Sequence, residues 1–241
     1  GEIRLGIYGN EDPMYILAGL PFIAPDYSSA WLLKDVQMEY LQEKFDKKGL
    51  MILYTAPWPG QGFYTKFPVN SVSDFSGKKL RIYSTATQQM GSMLGFNATI
   101  LPFAEIPQAF STGLIEALFT SPQTGIDIQA WDNTKHFTYA GAIFSKNAVV
   151  VTKKAFNALS KGDQSNMLAA AKKAELRGWE MSAETTKKQI DILKKNGMSS
   201  KNAPDEVISK MKSIGLEMMK NWRSKASPEA NAVLDRYLSM R

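Results

Sequence analysis

The chain has 241 residues, 44% of them hydrophobic, and a formal net charge of +6, so it is long enough to bury one large core or two smaller ones. Cysteine is absent and His136 is the only histidine, which excludes disulfides, thiol nucleophiles, thiolate metal sites and multi-histidine metal centres. No apolar run reaches the roughly twenty residues of a membrane span, and the lysines form scattered pairs rather than a basic patch interleaved with aromatics. We therefore expect no cofactor, no metal, no nucleic-acid partner and no membrane-spanning segment.

The first half of the chain alternates extended and helical patterns. Its predicted strands cover residues 3–8, 50–54, 79–82, 98–101 and 114–119. Its predicted helices, in which apolar residues recur at helical spacing, cover residues 28–45, 86–94 and 103–111. Strands that alternate with helices of about ten residues indicate an α/β fold with a mostly parallel sheet.

The last third of the chain is dominated by helical patterns after a predicted strand at residues 148–152. Ser160 and Asp163 have the spacing of a helix capping box, and a pattern without proline follows as far as Asn196 and Gly197. A helix of this length is well above the mean of about 11–12 residues in globular proteins. We expect it to pack on two lobes and to bridge them.

Two segments of the sequence carry a resemblance to a known family. The first, at residues 68–81, reads PVNSVSDFSGKKLR, and the second is PFAE at residues 102–105, followed by Ala109, Gly113 and Glu116. In this order and spacing they resemble the DctP-like substrate-binding proteins of TRAP transporters, which have a similar P-x-N-S-x-x-D-hydrophobic-x-G-x-K-hydrophobic-R segment. The chain departs from the family pattern at Phe110, where leucine is usual, and at Glu116, where aspartate is usual.

The resemblance extends over the whole chain and implies a two-lobed periplasmic binding protein fold with a long lobe-bridging helix. One lobe would contain residues 1–58 and 146–185, and the other would contain residues 59–145 and 186–241. Family members usually begin with a strand-helix-strand-helix section before the strand that matches residues 3–8. We therefore expect the N-terminal section of the first lobe to be missing from this sequence.

The function that the resemblance implies is periplasmic capture of a small organic anion by hinge closure, without catalysis, and its delivery to TRAP membrane permease subunits. An alternative is a ligand-sensing module of a signalling receptor system, which would use the same fold and pocket. The residues offer an enzyme little support. The G-x-G at residues 60–62 lacks the rest of a phosphate-binding fingerprint, and no pair of carboxylates is set up as acid and base.

Arg81 is the principal candidate for binding an anion. By itself it would be one more solvated cation after Lys78 and Lys79, although the alternation of this strand places it at a strand end, where open α/β sheets bind ligands. The resemblance adds that Arg81 matches the carboxylate-binding arginine of the family. A guanidinium presents a planar fork that fits a carboxylate with two parallel hydrogen bonds.

The resemblance also implies three polar candidates. Thr120 matches an asparagine of the family that hydrogen-bonds the ligand, and Ser84 matches a ligand-contacting asparagine of a sialic-acid-binding relative. Both positions also suit an ordinary strand end or helix cap. Gln61 stands where many family members have a second arginine, so we expect a ligand with a single anionic group.

Aromatic side chains supply the predicted apolar walls of the pocket. Trp58 lies in a turn rich in proline and glycine at the expected lobe crossing, and Phe103 matches a family position that packs on the ligand. Trp131 is a further candidate, with core packing as its alternative role, and Tyr8 and Asn10 follow the first predicted strand. Apolar walls with one strong anion clamp suit a monocarboxylate with an aromatic, branched or 2-oxo group.

Overall fold

The computed structural model describes residues 1–241, which form two β-sheets flanked by helices. The strands are β1 (Glu2–Arg4), β2 (Leu50–Pro57), β3 (Gly62–Thr65), β4 (Lys79–Ile82), β5 (Asn97–Ile100), β6 (Ala117–Thr120), β7 (His136–Tyr139), β8 (Lys146–Thr152) and β9 (Ser199–Asn202). The α-helices are α1 (Tyr27–Lys47), α2 (Thr85–Met93), α3 (Ile106–Ser111), α4 (Pro122–Asp127), α5 (Lys153–Asn157), α6 (Lys161–Lys195), α7 (Asp205–Lys225) and α8 (Pro228–Met240). None of these helices combines the length and apolar character that crossing a membrane requires.

The smaller sheet has three strands in the order β1–β8–β2, and both of its ladders are antiparallel. Strand β1 is shorter than the strand predicted at residues 3–8, because only residues 2–4 pair with β8. The chain then turns through the 3₁₀ segment Leu5–Tyr8, which buries Leu5. Strands β1 and β8 therefore pair although they lie more than a hundred residues apart in the sequence.

The larger sheet has six strands in the order β5–β4–β6–β3–β7–β9 and is mixed. Strand β4 is parallel to β5 and β6, and β7 is parallel to β9, but β3 runs antiparallel to both β6 and β7. The expectation of a mostly parallel sheet is therefore confirmed for the larger sheet, in which β3 alone runs against the other five strands, whereas the smaller sheet is antiparallel. All four residues of β3 are buried, so the sequence of this strand does not show the alternation of apolar and polar residues that would identify it. Its direction in the sheet depends on how the chain crosses over from β2.

Helix α6 is the long helix that the sequence predicts, with 35 residues. Its N-cap is Ser160, whose hydroxyl oxygen accepts a hydrogen bond from the backbone nitrogen of Asp163 at 3.1 Å. At its other end the helix stops at Asn196, followed by Gly197 with φ of 88°. The predicted length and both end signals of this helix are confirmed.

The two sheets are bridged by α6. Towards its start, Glu175 Oε1 accepts hydrogen bonds from the backbone nitrogen and the hydroxyl of Thr55 in β2, at 2.8 and 2.7 Å. Near its end, Gln189 Nε2 donates to Gln123 Oε1 of α4 at 2.9 Å, beside the larger sheet. The helix thus makes contacts beside both sheets.

The main hydrophobic cluster is continuous across the two sheets, since it includes Ile52 and Ala148 of the smaller one and Phe63 and Leu80 of the larger one. Helices α7 and α8 also contribute to this cluster, and α8 packs against α1, with the Tyr237 hydroxyl donating to the carbonyl oxygen of Ile23 at 2.7 Å. The lobe boundaries implied by the resemblance remain a prediction. That division separates α8 from α1, the helix it contacts.

Candidate ligand-binding cleft

One wall of a cleft is formed by strand ends of the larger sheet. Strands β4 and β6 are parallel and end at Ile82 and Thr120, so their carboxyl ends meet at one edge, where open α/β sheets bind ligands. Because β3 runs the opposite way, its first residue, Gly62, lies opposite Thr120. The chain entering β3 therefore brings Trp58 and Gln61 to the same edge.

The facing wall comes from the smaller sheet. Glu2 and Arg4 are two residues apart on β1, so their side chains point to the same face. Asn147 of β8 lies opposite Arg4 in the register, and its Nδ2 donates to Glu2 Oε1 at 2.7 Å. Charged and amide groups therefore face the strand ends of the larger sheet.

Between these walls lies a cavity of about 440 Å³, within the usual range of about 300–1,000 Å³ for small-molecule sites. Its lining residues are Glu2, Arg4, Ile7, Trp58, Gln61, Arg81, Tyr83, Phe103, Thr120, Ser121, Thr124, Asp127, Ser145 and Asn147. The set combines three aromatic side chains with two guanidinium groups. Such a site suits a small anion with an apolar part.

Arg81 is the most deeply buried cation of the cleft, with 2% of its surface exposed. Its Nε donates to the carbonyl oxygen of Leu101 at 3.1 Å, and none of the ion pairs of the chain involves it. Burial, followed by the positive charge of Arg4, lowers the pKa of Arg81 to about 10, which still leaves it charged at neutral pH. A buried cation without a counter-ion is unfavourable, so this site favours an incoming anion.

Gln61 is almost fully buried and uses its side-chain amide within the protein. Its Oε1 accepts a hydrogen bond from the Tyr83 hydroxyl at 2.7 Å, and its Nε2 donates to the Ser145 hydroxyl at 3.1 Å. Burial raises the pKa of Tyr83 to about 12, so this hydroxyl stays protonated as a donor. Gln61 therefore ties three segments of the wall together.

The other polar and aromatic groups of the cleft have simpler environments. Thr120 is buried at the end of β6, and Ser121 caps α4 by accepting a hydrogen bond from the backbone nitrogen of Thr124 at 3.2 Å. Phe103 is 49% exposed at the start of a 3₁₀ turn, and Trp58 is half-buried. An aromatic ring that remains exposed at a cleft is available to pack on a ligand.

Residues 3–225 match the model of bacterial extracellular solute-binding protein family 7, DctP. The chain belongs to this family. The predicted relationship to the DctP-like proteins, and with it the two-lobed α/β fold, is confirmed.

Solved structures of family 7 proteins are closely similar to this one. DctP7 of Bordetella pertussis, an extracytoplasmic solute receptor binding pyroglutamic acid, is 37% identical with a TM-score of 0.96, over 98% of this chain and 79% of that one. A TRAP solute-binding protein from a marine metagenome, specific for pyroglutamate, is 31% identical with a TM-score of 0.94, over 99% of this chain and 79% of that one.

Curated relatives of this family 7 chain are more distant. An uncharacterized protein of Haemophilus influenzae is 23% identical over 203 residues, which is 82% of this chain and 62% of the relative. A solute-binding protein of Chromohalobacter salexigens is 24% identical over 198 residues, which is 78% of this chain and 58% of the relative. The chain thus spans about three fifths of the length of these curated relatives.

The structure brings five of the nine site residues expected from the family 7 resemblance into the cleft. They are Trp58, Gln61, Arg81, Phe103 and Thr120. Arg81, Phe103 and Thr120 lie at or just beyond strand ends of the larger sheet, and Trp58 and Gln61 lie in the crossing from β2 to β3. Their roles in binding remain proposals.

Four other expected residues do not line the cleft. Ser84 is buried as the N-cap of α2, where its hydroxyl accepts a hydrogen bond from the backbone nitrogen of Thr87 at 3.2 Å. Tyr8 and Asn10 are exposed, because the chain turns away after Arg4 instead of continuing as a strand. Trp131 packs against the smaller hydrophobic cluster.

Sequence reasoning missed Arg4, which with Glu2 and Asn147 forms the facing wall. Residues 3–8 are otherwise apolar, so a charged residue inside that pattern was an available signal. It could not be assigned to the cleft without the pairing of β1 with β8. Asp127 and Ser145 were missed for a similar reason, since both lie in loops or short helices without a motif.

Proposed function

We propose that the chain is the solute-binding component of a TRAP-type transporter and captures a small organic monocarboxylate in the cleft between its two sheets. The observation that supports this most strongly is Arg81, a buried guanidinium without a counter-ion at the carboxyl end of a parallel strand. Its Nε is occupied by Leu101, which leaves the two terminal nitrogens for an incoming group. A carboxylate matches the planar fork of the guanidinium and neutralises its charge.

Pyroglutamate is the first compound we propose as ligand. The relatives that are more than 30% identical to this chain are described as binding it, and it is a compact ring with one carboxylate. Its lactam N–H needs an acceptor, and the carboxylates of Glu2 and Asp127 lie in the same cleft. Trp58 and Phe103 supply apolar surface for the ring. Other monocarboxylates with an aromatic, branched or 2-oxo group remain compatible with this cleft.

Binding would act through closure of the two sheets over the ligand. The cleft has polar groups on both walls, so a ligand that contacts both stabilises the closed state relative to the open one. The closed form would then dock on the membrane permease subunits from the periplasmic side. Glu2 and Asp127 accept hydrogen bonds from Asn147 and Gln123, and we propose that the bound acid is released unchanged.

The test is a thermal-shift screen of the purified protein with pyroglutamate, other monocarboxylates, dicarboxylates and neutral sugars. A ligand that binds only the folded protein stabilises it by RT ln(1 + [L]/Kd), about 2.7 kcal/mol at a hundredfold excess over Kd. We expect stabilisation by a monocarboxylate that is lost in Arg81→Met and kept in Lys172→Gln, which removes an exposed charge from α6. Stabilisation by neutral sugars alone, or full stabilisation of Arg81→Met by an acid, would contradict the proposal.

A further inference from the structure

Two arginines from different sheets face the same cleft. Arg4 lies on β1 of the three-stranded sheet, paired with Asn147, and Arg81 lies on β4 of the six-stranded sheet. The two side chains line one cavity, and Arg4 is among the charges that shift the titration of Arg81. The two guanidinium groups are therefore close enough to interact electrostatically across the cleft.

Neither guanidinium is neutralised by the protein. No ion pair of the chain includes Arg4 or Arg81. The Nε of Arg4 is buried without a hydrogen-bond partner, and the group lies 5.9 Å from the ring centre of Tyr83. A buried donor without a partner is uncommon in folded proteins and indicates a missing acceptor.

The acidic residues of the cleft do not supply that acceptor. Glu2 accepts a hydrogen bond from Asn147, and Asp127 accepts one from Gln123 at 2.7 Å. Both carboxylates lie beyond ion-pair distance from the two arginines, since neither forms an ion pair. An acceptor from outside the chain would satisfy this donor, and an anionic acceptor would at the same time offset part of the positive charge.

We propose that Arg4 is a second ligand-binding cation, and that a single carboxylate of the ligand is held between Arg4 and Arg81. This inference rests on the proposed function. In it, Arg4 is the residue that makes closure of the cleft depend on the charge of the ligand. Gln61, at the position where a second arginine was expected from the resemblance, is engaged with Tyr83 and Ser145 instead. Arg4 restores the second positive charge from the opposite wall.

This arrangement makes closure depend on the anion. In the empty cleft the two like charges repel each other, and bringing the sheets together strengthens that repulsion. A carboxylate between them adds two attractive, charge-assisted interactions, which act over shorter distances than the remaining repulsion and outweigh it. A neutral amide of the same shape leaves both cations without a partner, so the cleft discriminates against it.

The test is isothermal titration of the purified protein with L-pyroglutamate and, as a bare carboxylate, with acetate. The variants are Arg4→Gln, Arg4→Lys and the control Lys172→Gln, which removes an equal charge from an exposed position that does not line the cleft. We expect Arg4→Gln to weaken binding of both carboxylates about 30-fold or more, since truncating one member of a buried charge pair costs at least this much. Arg4→Lys should retain part of the affinity, because it keeps the charge and loses the fork.

The melting temperature of the ligand-free variants separates this role from a structural one. We expect Arg4→Gln without ligand to melt at the same temperature as the parent or higher, because the repulsion with Arg81 is removed. A lower melting temperature with unchanged affinity for both carboxylates would show that Arg4 only packs on Tyr83, and the inference would be wrong. Arg4→Lys provides the same comparison if Arg4→Gln does not fold.

The two proposals fail in distinguishable ways. Suppose that acetate binds in an Arg4-dependent manner and pyroglutamate does not bind. Binding of a carboxylate between Arg4 and Arg81 is then supported, and the choice of pyroglutamate as ligand is wrong. If both carboxylates bind the parent and Arg4→Gln equally, the proposed role of Arg4 is wrong and the proposed function stands. If neither carboxylate binds the parent, the inference about Arg4 is wrong, and the screen with other monocarboxylates decides the proposed function.

Discussion

The Tyr83 hydroxyl donates a 2.7 Å hydrogen bond to Gln61 Oε1, which connects the end of β4 with the start of β3. These two strands are not neighbours, because β6 lies between them in the sheet. The bond therefore spans the strand that ends at Thr120, next to the cleft. It fixes the position of β4, which carries Arg81, relative to the segment that connects β2 with β3.

Replacing Tyr83 with phenylalanine should destabilise the protein by about 1–3 kcal/mol, because it leaves the buried Gln61 oxygen without its donor. Urea denaturation measures this difference. Tyr8→Phe is the matched control, since Tyr8 is 37% exposed and its hydroxyl makes no hydrogen bond within the chain. Equal stability of the two variants would show that water replaces the lost donor.

Replacing Arg81 with methionine should raise the stability of the ligand-free protein, or leave it unchanged, while abolishing carboxylate binding. The reason is that a buried charge without a counter-ion is unfavourable, and methionine fills a similar volume. Chemical denaturation without ligand, compared with Lys172→Gln, checks this expectation. A loss of several kcal/mol would show instead that Arg81 is mainly a structural residue that holds Leu101 in place.

Helix α6 should loosen from the smaller sheet when Glu175 is replaced with glutamine. One oxygen of this carboxylate accepts two hydrogen bonds from Thr55, and the other pairs with Lys34 Nζ at 3.3 Å. We expect a loss of about 1–3 kcal/mol in urea denaturation. Glu184→Gln on the same helix is the control, because Glu184 is exposed and forms no ion pair, and it should change stability by less than about 0.5 kcal/mol.

Lys146 should make the stability of the protein depend on pH between about 7 and 9.5. Burial, followed by the charge of Lys34, lowers the pKa of Lys146 to about 7, and its Nζ donates to Gln37 Oε1 at 2.6 Å. The unfolded chain keeps an ordinary lysine pKa of about 10.4, so in this range it binds more protons than the folded state. Stability should therefore rise as the pH rises through this window.

The size of this effect is on the order of 3–5 kcal/mol, from the difference between the two pKa values. Urea denaturation at pH 7 and pH 9.5 measures it, with Lys146→Met as the comparison. The variant should be more stable than the parent at pH 7 and should show a flatter dependence on pH. A parent whose stability does not change over this range would contradict a neutral buried Lys146. Above pH 10 the buried tyrosines oppose the trend, since burial also raises the pKa of Tyr83 and Tyr139 to about 12.

Helix caps and the spacing of apolar residues predicted the helices and strands that form through interactions between residues close together in the sequence. The cap at Ser160, the uninterrupted helical pattern and the stop at Gly197 predicted α6 within a residue at each end. The apolar residues between Lys79 and Gly95 predicted β4 and α2 in the same way. Arg81 was predicted as a ligand-binding residue by combining its position in this strand with the family motif, since the motif indicates which end of the strand faces the ligand.

The sequence by itself determined the α/β class, the long bridging helix, the relationship to the DctP-like proteins and the position of Arg81 at a strand end. The tertiary structure decided the direction of β3, the engagement of Gln61 with Tyr83, and the placement of Ser84 in a helix cap away from the cleft. It also decided that Arg4 and Arg81 line the same cavity. That arrangement requires β1 to pair with β8, about 145 residues further along the chain, and long-range pairing of this kind leaves no periodic trace in either segment.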